Sequence, residues 1–181
     1  YLGAWEPLAF DINRSFQLLF MVIIGGLGSI LGCFLGAAFI LVLPIMLDQN
    51  EGHIVNTASM AGLVAMPGFG PYNATKHAVV AISEGLFMEL AAKGSNVSCS
   101  VLCPGFVKTS LTTDIKWSDR LGSRPADPTD PISAMMNEML KAGVEEGIPA
   151  TDVADQVHDA IVANQFWILT HPDFRQAPVE R

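Results

Sequence analysis

Apolar and polar positions divide the chain into one long uncharged run and a second part in which strand-like and helix-like patterns alternate. No residue from Ser15 to Leu47 is charged, and about 20 apolar residues already suffice to cross a lipid bilayer. Charges return at Asp48, and beyond it short apolar runs alternate with helical periods. The pattern predicts an α/β fold, a partial parallel sheet with helices, preceded by a very hydrophobic, membrane-like helical segment.

The second part contains a strand–helix–strand unit. A short apolar run, Ile54–Val55, ends in small polar residues, and its flanks predict a buried strand over His53–Thr57. Residues 75–93 repeat apolar side chains at a helical period. Residues 97–103 alternate and contain β-branched side chains, which predicts a second strand. This order favours a parallel sheet with a right-handed crossover, so the strand ends share the edge where open α/β sheets bind ligands.

Further elements are predicted towards the carboxyl end. A proline-rich segment after Ser110 leads into a helix rich in methionine, including Met135, Met136 and Met139. Thr151 is predicted to cap a helix that continues through Ile161. Residues 165–170 are then interpreted as a last strand.

The segment between the first strand and its helix carries the candidate chemistry. Ser59 follows the strand, a Gly/Pro-rich loop comes next, and Tyr72 and Lys76 lie four residues apart. That spacing puts the phenol and the ammonium on one helix face. An ammonium beside a phenol favours its ionised form, and such a tyrosine exchanges protons with a carbonyl or alcohol oxygen near neutral pH. The alternative is a surface Tyr and Lys on an amphipathic helix, with Ser59 as a cap or turn residue.

Ser59, Tyr72 and Lys76, with IVNTAS before them and PGFVKT after them, resemble the catalytic core of the short-chain dehydrogenase/reductase family. The resemblance covers about residues 49–181 and implies the catalytic, carboxyl-terminal half of a Rossmann-like domain in the cytoplasm. It implies reversible hydride transfer between NAD or NADP and a small-molecule alcohol/carbonyl pair. Tyr72 would be the acid/base, Lys76 would hold the nicotinamide ribose, and Ser59 would orient the substrate oxygen.

The same resemblance implies that the turn after the second strand binds the nicotinamide. Pro104 ends the strand, and Gly105 would let a flat ring approach the backbone. The main chain around Val107 and the hydroxyl of Thr109 would contact the carboxamide. A plain strand-ending turn is the alternative, and Asn56 is interpreted as a residue that fixes the strand end.

Residues 1–48 are predicted to be a separate hydrophobic helical segment. Their GGLGS stretch resembles permease subunits of branched-chain amino-acid ABC transporters, and Gly28, Gly32 and Gly36 form a small-residue ridge on which helices pack closely. Two alternatives to the enzyme therefore stay open. One is a membrane transport segment or anchor, acting through residues 15–47, with an inert passenger. The other is a non-functional chimera of two genes joined near residue 48.

Residues 21–29 offer a competing interpretation, a strand followed by a nucleotide-binding loop. The glycines at 26, 28 and 32 do not match the GxGxxG pattern, and residues 40–44 contain no acid to meet a ribose. We therefore expect the glycine-rich nucleotide loop to be missing, and the polypeptide to bind NAD(P) weakly.

Charge and cysteine content narrow the class of partners. The formal net charge is −8, and without a basic cluster nucleic acid is not expected as a partner. The three cysteines, an odd count without metal spacing, are interpreted as buried thiols in a reducing compartment. The histidines are scattered and predict no metal site: His53, His77, His158 and His171. Neither the oligomeric state nor the substrate is indicated.

Overall fold

The computed structural model describes residues 12–25, 30–110 and 131–171. The chain divides into two compact units. Residues 1–52 with 95–97 form the first unit, and residues 53–94 with 98–181 form the second.

The first unit contains two helices that pack against each other, α1 (Ile12–Gly25) and α2 (Ile30–Gln49). Gly32 and Gly36, one turn apart on α2, are buried, as expected where small residues let a neighbouring helix approach. The competing strand at residues 21–24 is wrong, because these residues lie within α1. The glycine turn at residues 26–29 lies outside the described residues.

Helix α2 confirms the predicted hydrophobic helical segment. Among the described residues it is the one helix long and apolar enough to span a membrane. Its large apolar side chains are mostly exposed: Ile30, Leu31, Phe34, Leu35, Phe39, Leu41, Val42, Ile45 and Leu47.

The second unit is built on a parallel sheet, which confirms the predicted α/β fold. Its strands are β1 (His53–Thr57), β2 (Ser98–Cys103) and β5 (Trp167–Leu169), in the order β1-β2-β5. Both neighbouring pairs are parallel. Helix α3 (Gly70–Ala92) connects β1 to β2, as the sequence predicts.

Strand β2 is the centre of the core, and its side chains alternate between the two faces of the sheet. Val101 and Cys103 pack with Val80 of α3, whereas Leu102 packs with Ala160 of a later helix, α5 (Ala150–Val162). Each fully buried valine or leucine stabilises the fold by about 1.5–3 kcal/mol. Helices α3 and α5 therefore pack against opposite faces of the sheet.

A polar chain crosses the sheet at the amino ends of its strands. Ser100 Oγ donates its hydrogen to the Gln165 carbonyl oxygen at 2.6 Å. Because that hydrogen is used, Ser100 Oγ accepts a hydrogen bond from Nε2–H of His53 at 2.6 Å. Burial lowers the pKa of His53 from its ordinary 6.5, because desolvation disfavours the charged ring. This histidine therefore joins β1 to β2 as a neutral side chain.

A smaller parallel pair joins β3 (Val107–Lys108) to β4 (Ile148–Pro149). Helix α4 (Pro131–Glu146), the predicted methionine-rich helix, lies between them in sequence. Met135 and Met139 are exposed. The predicted proline-rich segment at residues 111–130 lies outside the described residues.

Three local predictions are corrected. Helix α3 begins at Gly70, two residues before Tyr72, where the predicted helix-like pattern starts. Pro71 suits a first turn, because its missing N–H breaks no helical hydrogen bond there. The predicted Thr151 cap is wrong: α5 begins after Pro149 without a side-chain cap, and the Thr151 hydroxyl donates to Asp152 instead. Cys99 and Cys103 are buried as predicted, but Cys33 is only half-buried. Burial also raises the pKa of the Cys99 thiol.

Candidate active site

The candidate residues gather at the carboxyl edge of the sheet, where β1, β2 and β5 end. Ala58 N–H donates to the Leu102 carbonyl oxygen at 2.8 Å, and Met60 N–H donates to the Pro104 carbonyl oxygen at 2.9 Å. These two bonds join the chain after β1 to the end of β2. Ser59 lies between the two donors and is therefore fixed at this edge.

Ser59 begins a short 3₁₀ helix, Met60–Gly62, and caps it with its own side chain. Its Oγ accepts a hydrogen bond from Ala61 N–H at 3.2 Å. A hydroxyl has one hydrogen and two lone pairs, so this bond uses only part of its capacity. The Ser59 hydrogen can still be donated to a substrate oxygen.

Tyr72 lies in the first turn of α3 and is 43% exposed. The edge of the Phe69 ring contacts it, with 6.3 Å between ring centroids. The helix begins here because Gly70 and Pro71 occupy its first turn and Asn73 N–H donates to the Phe69 carbonyl oxygen at 2.7 Å. The phenol is thus held on a helix start while its ring stays open to solvent.

Lys76 connects Tyr72 to the end of β1. Its Nζ lies 5.7 Å from the centre of the Tyr72 ring, a cation–π distance, and donates to the Thr57 carbonyl oxygen at 3.2 Å. An ammonium has three hydrogens, so two stay available beyond the bond to Thr57. The structure thus places the tyrosine and the lysine on one face of α3, as their spacing predicts.

Gly62 sets the distance between the 3₁₀ helix and α3. A Cβ at this position would lie 2.7 Å from the backbone oxygen of Lys76 and 2.9 Å from its carbonyl carbon. Only glycine permits so close an approach without a shift of backbone. Ser59, on one element, and Lys76, on the other, are held together by this contact.

The turn after β2 is held by the end of the last strand. Gly105 N–H donates to Thr170 Oγ1 at 3.1 Å, and Thr170 Oγ1 lies 2.8 Å from His171 Nδ1. A Cβ on Gly105 would lie 2.6 Å from the His171 ring. The flat ring that approaches Gly105 here is therefore the imidazole of His171.

The other residues predicted to bind the cofactor follow this turn. Val107 belongs to β3 and pairs with Ile148, where Ile148 N–H donates to the Phe106 carbonyl oxygen at 3.1 Å. Thr109 comes directly after β3 and is exposed. Pro104, Val107 and Thr109 therefore line one short stretch that starts at the carboxyl edge of β2.

Asn56 lies outside this group, as the sequence suggests. Its Nδ2 donates to Ser83 Oγ at 3.0 Å, and Ser83 is fully buried on α3. Asn56 therefore ties β1 to its covering helix.

Sequence reasoning missed Asn73, Thr170 and His171. Asn73 is buried next to Tyr72, and the available signal was a polar residue inside the first two turns of a helix. Thr170 is also buried, and the available signal was a polar pair directly after an apolar strand.

Comparison with known proteins decides the family. A family model described as short chain dehydrogenase matches residues 30–119. The matched part of the chain belongs to the short-chain dehydrogenase/reductase family. Because the match begins at residue 30, it includes α2, which the sequence set apart from the family resemblance. The domain boundary at residue 48 stays a prediction.

Two curated bacterial proteins show the extent of the similarity. The chain is 36% identical over 136 residues to a CLA biosynthesis dehydrogenase/reductase of Lactiplantibacillus plantarum, covering 74% of this chain and 48% of the relative. It is 42% identical over 84 residues to 2-(R)-hydroxypropyl-CoM dehydrogenase of Xanthobacter autotrophicus, covering 46% of this chain and 32% of the relative. The family member thus spans about half the length of these curated relatives, or less.

Among solved structures, this chain resembles a short-chain dehydrogenase/reductase from Burkholderia phymatum in complex with NAD. The identity is 37% with a TM-score of 0.67, over 83% of this chain and 56% of the other. This likeness agrees with a Rossmann-like arrangement of the described strands and helices.

Proposed function

We propose that residues 49–181 form the catalytic half of an NAD(P)-dependent oxidoreductase that interconverts an alcohol and a carbonyl compound. The observation that carries the proposal is the distance of 5.7 Å between Lys76 Nζ and the centre of the exposed Tyr72 ring. Both groups lie at the carboxyl edge of a parallel sheet, where α/β folds bind ligands. An exposed phenol beside a fixed positive charge suits proton transfer to a small carbonyl oxygen.

The chain's own residues would move the proton and hold the substrate. In the reduction direction Tyr72 donates its phenolic proton to the substrate oxygen as that oxygen gains negative charge. Ser59 donates its hydroxyl hydrogen to the same oxygen and orients the carbonyl. Lys76, fixed on Thr57, stabilises the negative charge left on the phenol oxygen until a proton returns from solvent.

NAD or NADP, when bound, supplies the hydride that reduces the carbonyl carbon. Lys76 fits a role at the nicotinamide ribose, because its bond to Thr57 leaves two ammonium hydrogens for hydroxyl oxygens. Pro104, Gly105, Val107 and Thr109 would border the nicotinamide. Gly105 would do so from its backbone only, since His171 fills the space beside its Cα.

The substrate class is a small molecule with a hydroxyl or carbonyl group. One relative's name refers to a hydroxypropyl compound, which suits an exposed tyrosine and a half-buried serine at the sheet edge. A series of short aldehydes and methyl ketones, each tested with NADH and with NADPH, is the direct experiment. Reduction that depends on Tyr72 supports the proposal, and reduction that continues unchanged in Tyr72→Phe contradicts it.

We also propose that this polypeptide binds the cofactor weakly, because Gly25–Ser29 does not serve as a pyrophosphate cradle. Phosphate sites of this kind need free backbone N–H groups at a helix start, and this turn is embedded in an uncharged run. Contacts at the nicotinamide end alone should give a dissociation constant of about 1 mM. Calorimetric titration with NADH and NADPH tests this, and a low-micromolar constant for either would show that residues 1–48 do build a nucleotide site.

A second candidate function is membrane attachment through residues 15–47, with the catalytic part facing the cytoplasm. Helix α2, the candidate span at Ile30–Gln49, favours it by its length and exposed apolar surface. The family match includes α2. It therefore favours the opposite interpretation, in which protein rather than lipid covers the apolar surface of this helix. Residues 1–50 fused to a neutral reporter should sediment with lipid vesicles if the helix enters membranes, and a soluble, monodisperse fusion would exclude this candidate.

A further inference from the structure

Asn73 is a buried polar residue beside the candidate proton donor. It follows Tyr72 on α3, and only 8% of its surface is exposed. Its Nδ2 donates to the Met66 carbonyl oxygen at 2.7 Å. Because a carbonyl oxygen only accepts, this bond fixes which end of the carboxamide is nitrogen.

The other end of that carboxamide has no partner in the part of the chain that the structure describes. Asn73 Oδ1 is buried, and no donor among the described residues reaches it. An acceptor buried in this way is destabilising, and leucine, of similar size, would avoid that loss. Local choices that oppose stability are expected where a residue serves a functional site.

The bond to Met66 ties down the segment that joins the two candidate catalytic elements. Residues 63–69, here named the connecting segment, run from the 3₁₀ helix of Ser59 to the start of α3. Phe69, at the end of this segment, makes the edge contact with the Tyr72 ring. The Asn73 side chain holds the segment midway, and the Asn73 backbone N–H holds its end at the Phe69 carbonyl oxygen.

We infer that Asn73 is a positioning residue that fixes the connecting segment and thereby the placement of Ser59 and Phe69 relative to Tyr72. The inference rests on the proposed function of Tyr72. Its chemical consequence concerns the substrate, because the connecting segment links the two groups proposed to meet the substrate oxygen. Lys76, proposed to hold the cofactor, is bound to Thr57 instead and should not respond to Asn73.

The test compares Asn73→Leu and Asn73→Asp with Ser83→Ala. Ser83 is fully buried on the same helix and bonds Asn56, so Ser83→Ala removes a similar polar contact of α3 away from the connecting segment. Hydrogen exchange of residues 63–69, measured by mass spectrometry, reports the tie without needing activity. We expect at least tenfold faster exchange in Asn73→Leu, and wild-type exchange of these residues in Ser83→Ala.

Asn73→Asp separates the hydrogen bond from packing. Its carboxyl donates to Met66 only when protonated, so protection of residues 63–69 should approach wild type at low pH and fall as pH rises. Wild-type protection of residues 63–69 in Asn73→Leu would overturn the inference. The same holds if the protection of these residues in Asn73→Asp changes with pH no more than it does in the wild type.

Steady-state kinetics test whether Asn73 affects substrate binding. The probe is the short methyl ketone that the wild type reduces best, with NADH as cofactor. Asn73→Leu should raise KM for the ketone at least fivefold and leave the NADH dissociation constant within twofold. If Tyr72→Phe abolishes reduction while Asn73→Leu leaves KM and kcat unchanged, the positioning role is wrong and the proposed function stands. If Tyr72→Phe reduces the probe at the wild-type rate, the proposed function fails, and the exchange experiment still decides whether Asn73 holds the segment.

Discussion

Lys76 donates a hydrogen bond from its Nζ to the carbonyl oxygen of Thr57 at 3.2 Å. The ammonium of α3 is therefore fixed over the end of β1, two residues before Ser59. Two things therefore place the positive charge near the Tyr72 ring: the helical spacing of the two residues and the hydrogen bond to the end of β1. The position of this charge is thus a tertiary property that the four-residue spacing alone does not determine.

Lys76→Met should lower the rate of carbonyl reduction at least tenfold and weaken cofactor binding. Methionine keeps most of the length of the side chain but removes the charge and the bond to Thr57. Rates and NADH dissociation constants are measured on the same preparation. Lys76→Arg should restore little, because the planar guanidinium does not match a point charge at this position. Unchanged rate and affinity in Lys76→Met would contradict the role given to this residue.

Gly62→Ala should destabilise the fold by about 1–3 kcal/mol, the usual cost of an overpacked site. The new Cβ would lie 2.7 Å from the Lys76 backbone oxygen, and backbone cannot rotate away as a side chain can. Gly85→Ala, on α3, the helix that Gly62 contacts, is the control because nothing lies within 4 Å of its Cβ position. This control should gain about 0.5–1 kcal/mol from helix propensity. Urea unfolding measures both, and equal midpoints for the two variants would refute the close contact.

Gly105→Ala should disturb the turn after β2, since its Cβ would lie 2.6 Å from the His171 ring. We expect weaker cofactor binding, because this turn is proposed to border the nicotinamide. Adding His171→Ala should restore much of the loss, since it removes the ring that the new methyl meets. NADH titration of the single and double variants measures this. A double variant no better than Gly105→Ala would show that the imidazole is not the cause.

Stability should fall as pH is lowered from about 6.5, in part because of His53. Its pKa is lowered in the folded protein by burial, so the unfolded state takes up the proton first. The contribution of the neutral ring is therefore full above 6.5 and is lost as pH falls towards the folded pKa. The free energy of unfolding of His53→Gln should vary less between pH 7.5 and 5.5, about the span in which a histidine titrates. His158→Gln, at an exposed position, is the control and should follow the wild type. A His53 variant whose pH dependence equals that of the wild type contradicts the assignment.

Local patterns predicted much of the second unit. The apolar run of β1, the alternation in β2 and the helical period of α3 each depend on near neighbours in sequence, and each forms as expected. Tyr72 and Lys76 are found together for the same reason, since one helical turn joins them. The strand-end serine is also a local feature, because it caps the 3₁₀ helix that begins next to it.

Contacts between distant segments were not predictable in this way. Thr170 meets Gly105 across 65 positions of sequence, and only the pairing of β2 with β5 brings them together. The reason for glycine at position 105 is therefore a histidine near the end of the last strand. Thr151 failed as a cap because Pro149, which favours an extended backbone, occupies the N-cap position two residues earlier, so that Thr151 lies inside the first turn of α5.

The most direct test of the proposed site measures carbonyl reduction and NADH binding together in wild type and Tyr72→Phe. Phenylalanine keeps the ring and its contact with Phe69 but has no proton to donate. A positioned general acid contributes about 100-fold or more, so we expect a rate at least 100-fold lower with an NADH dissociation constant within threefold of wild type. A Tyr72→Phe protein that reduces the same substrate at the wild-type rate would contradict it.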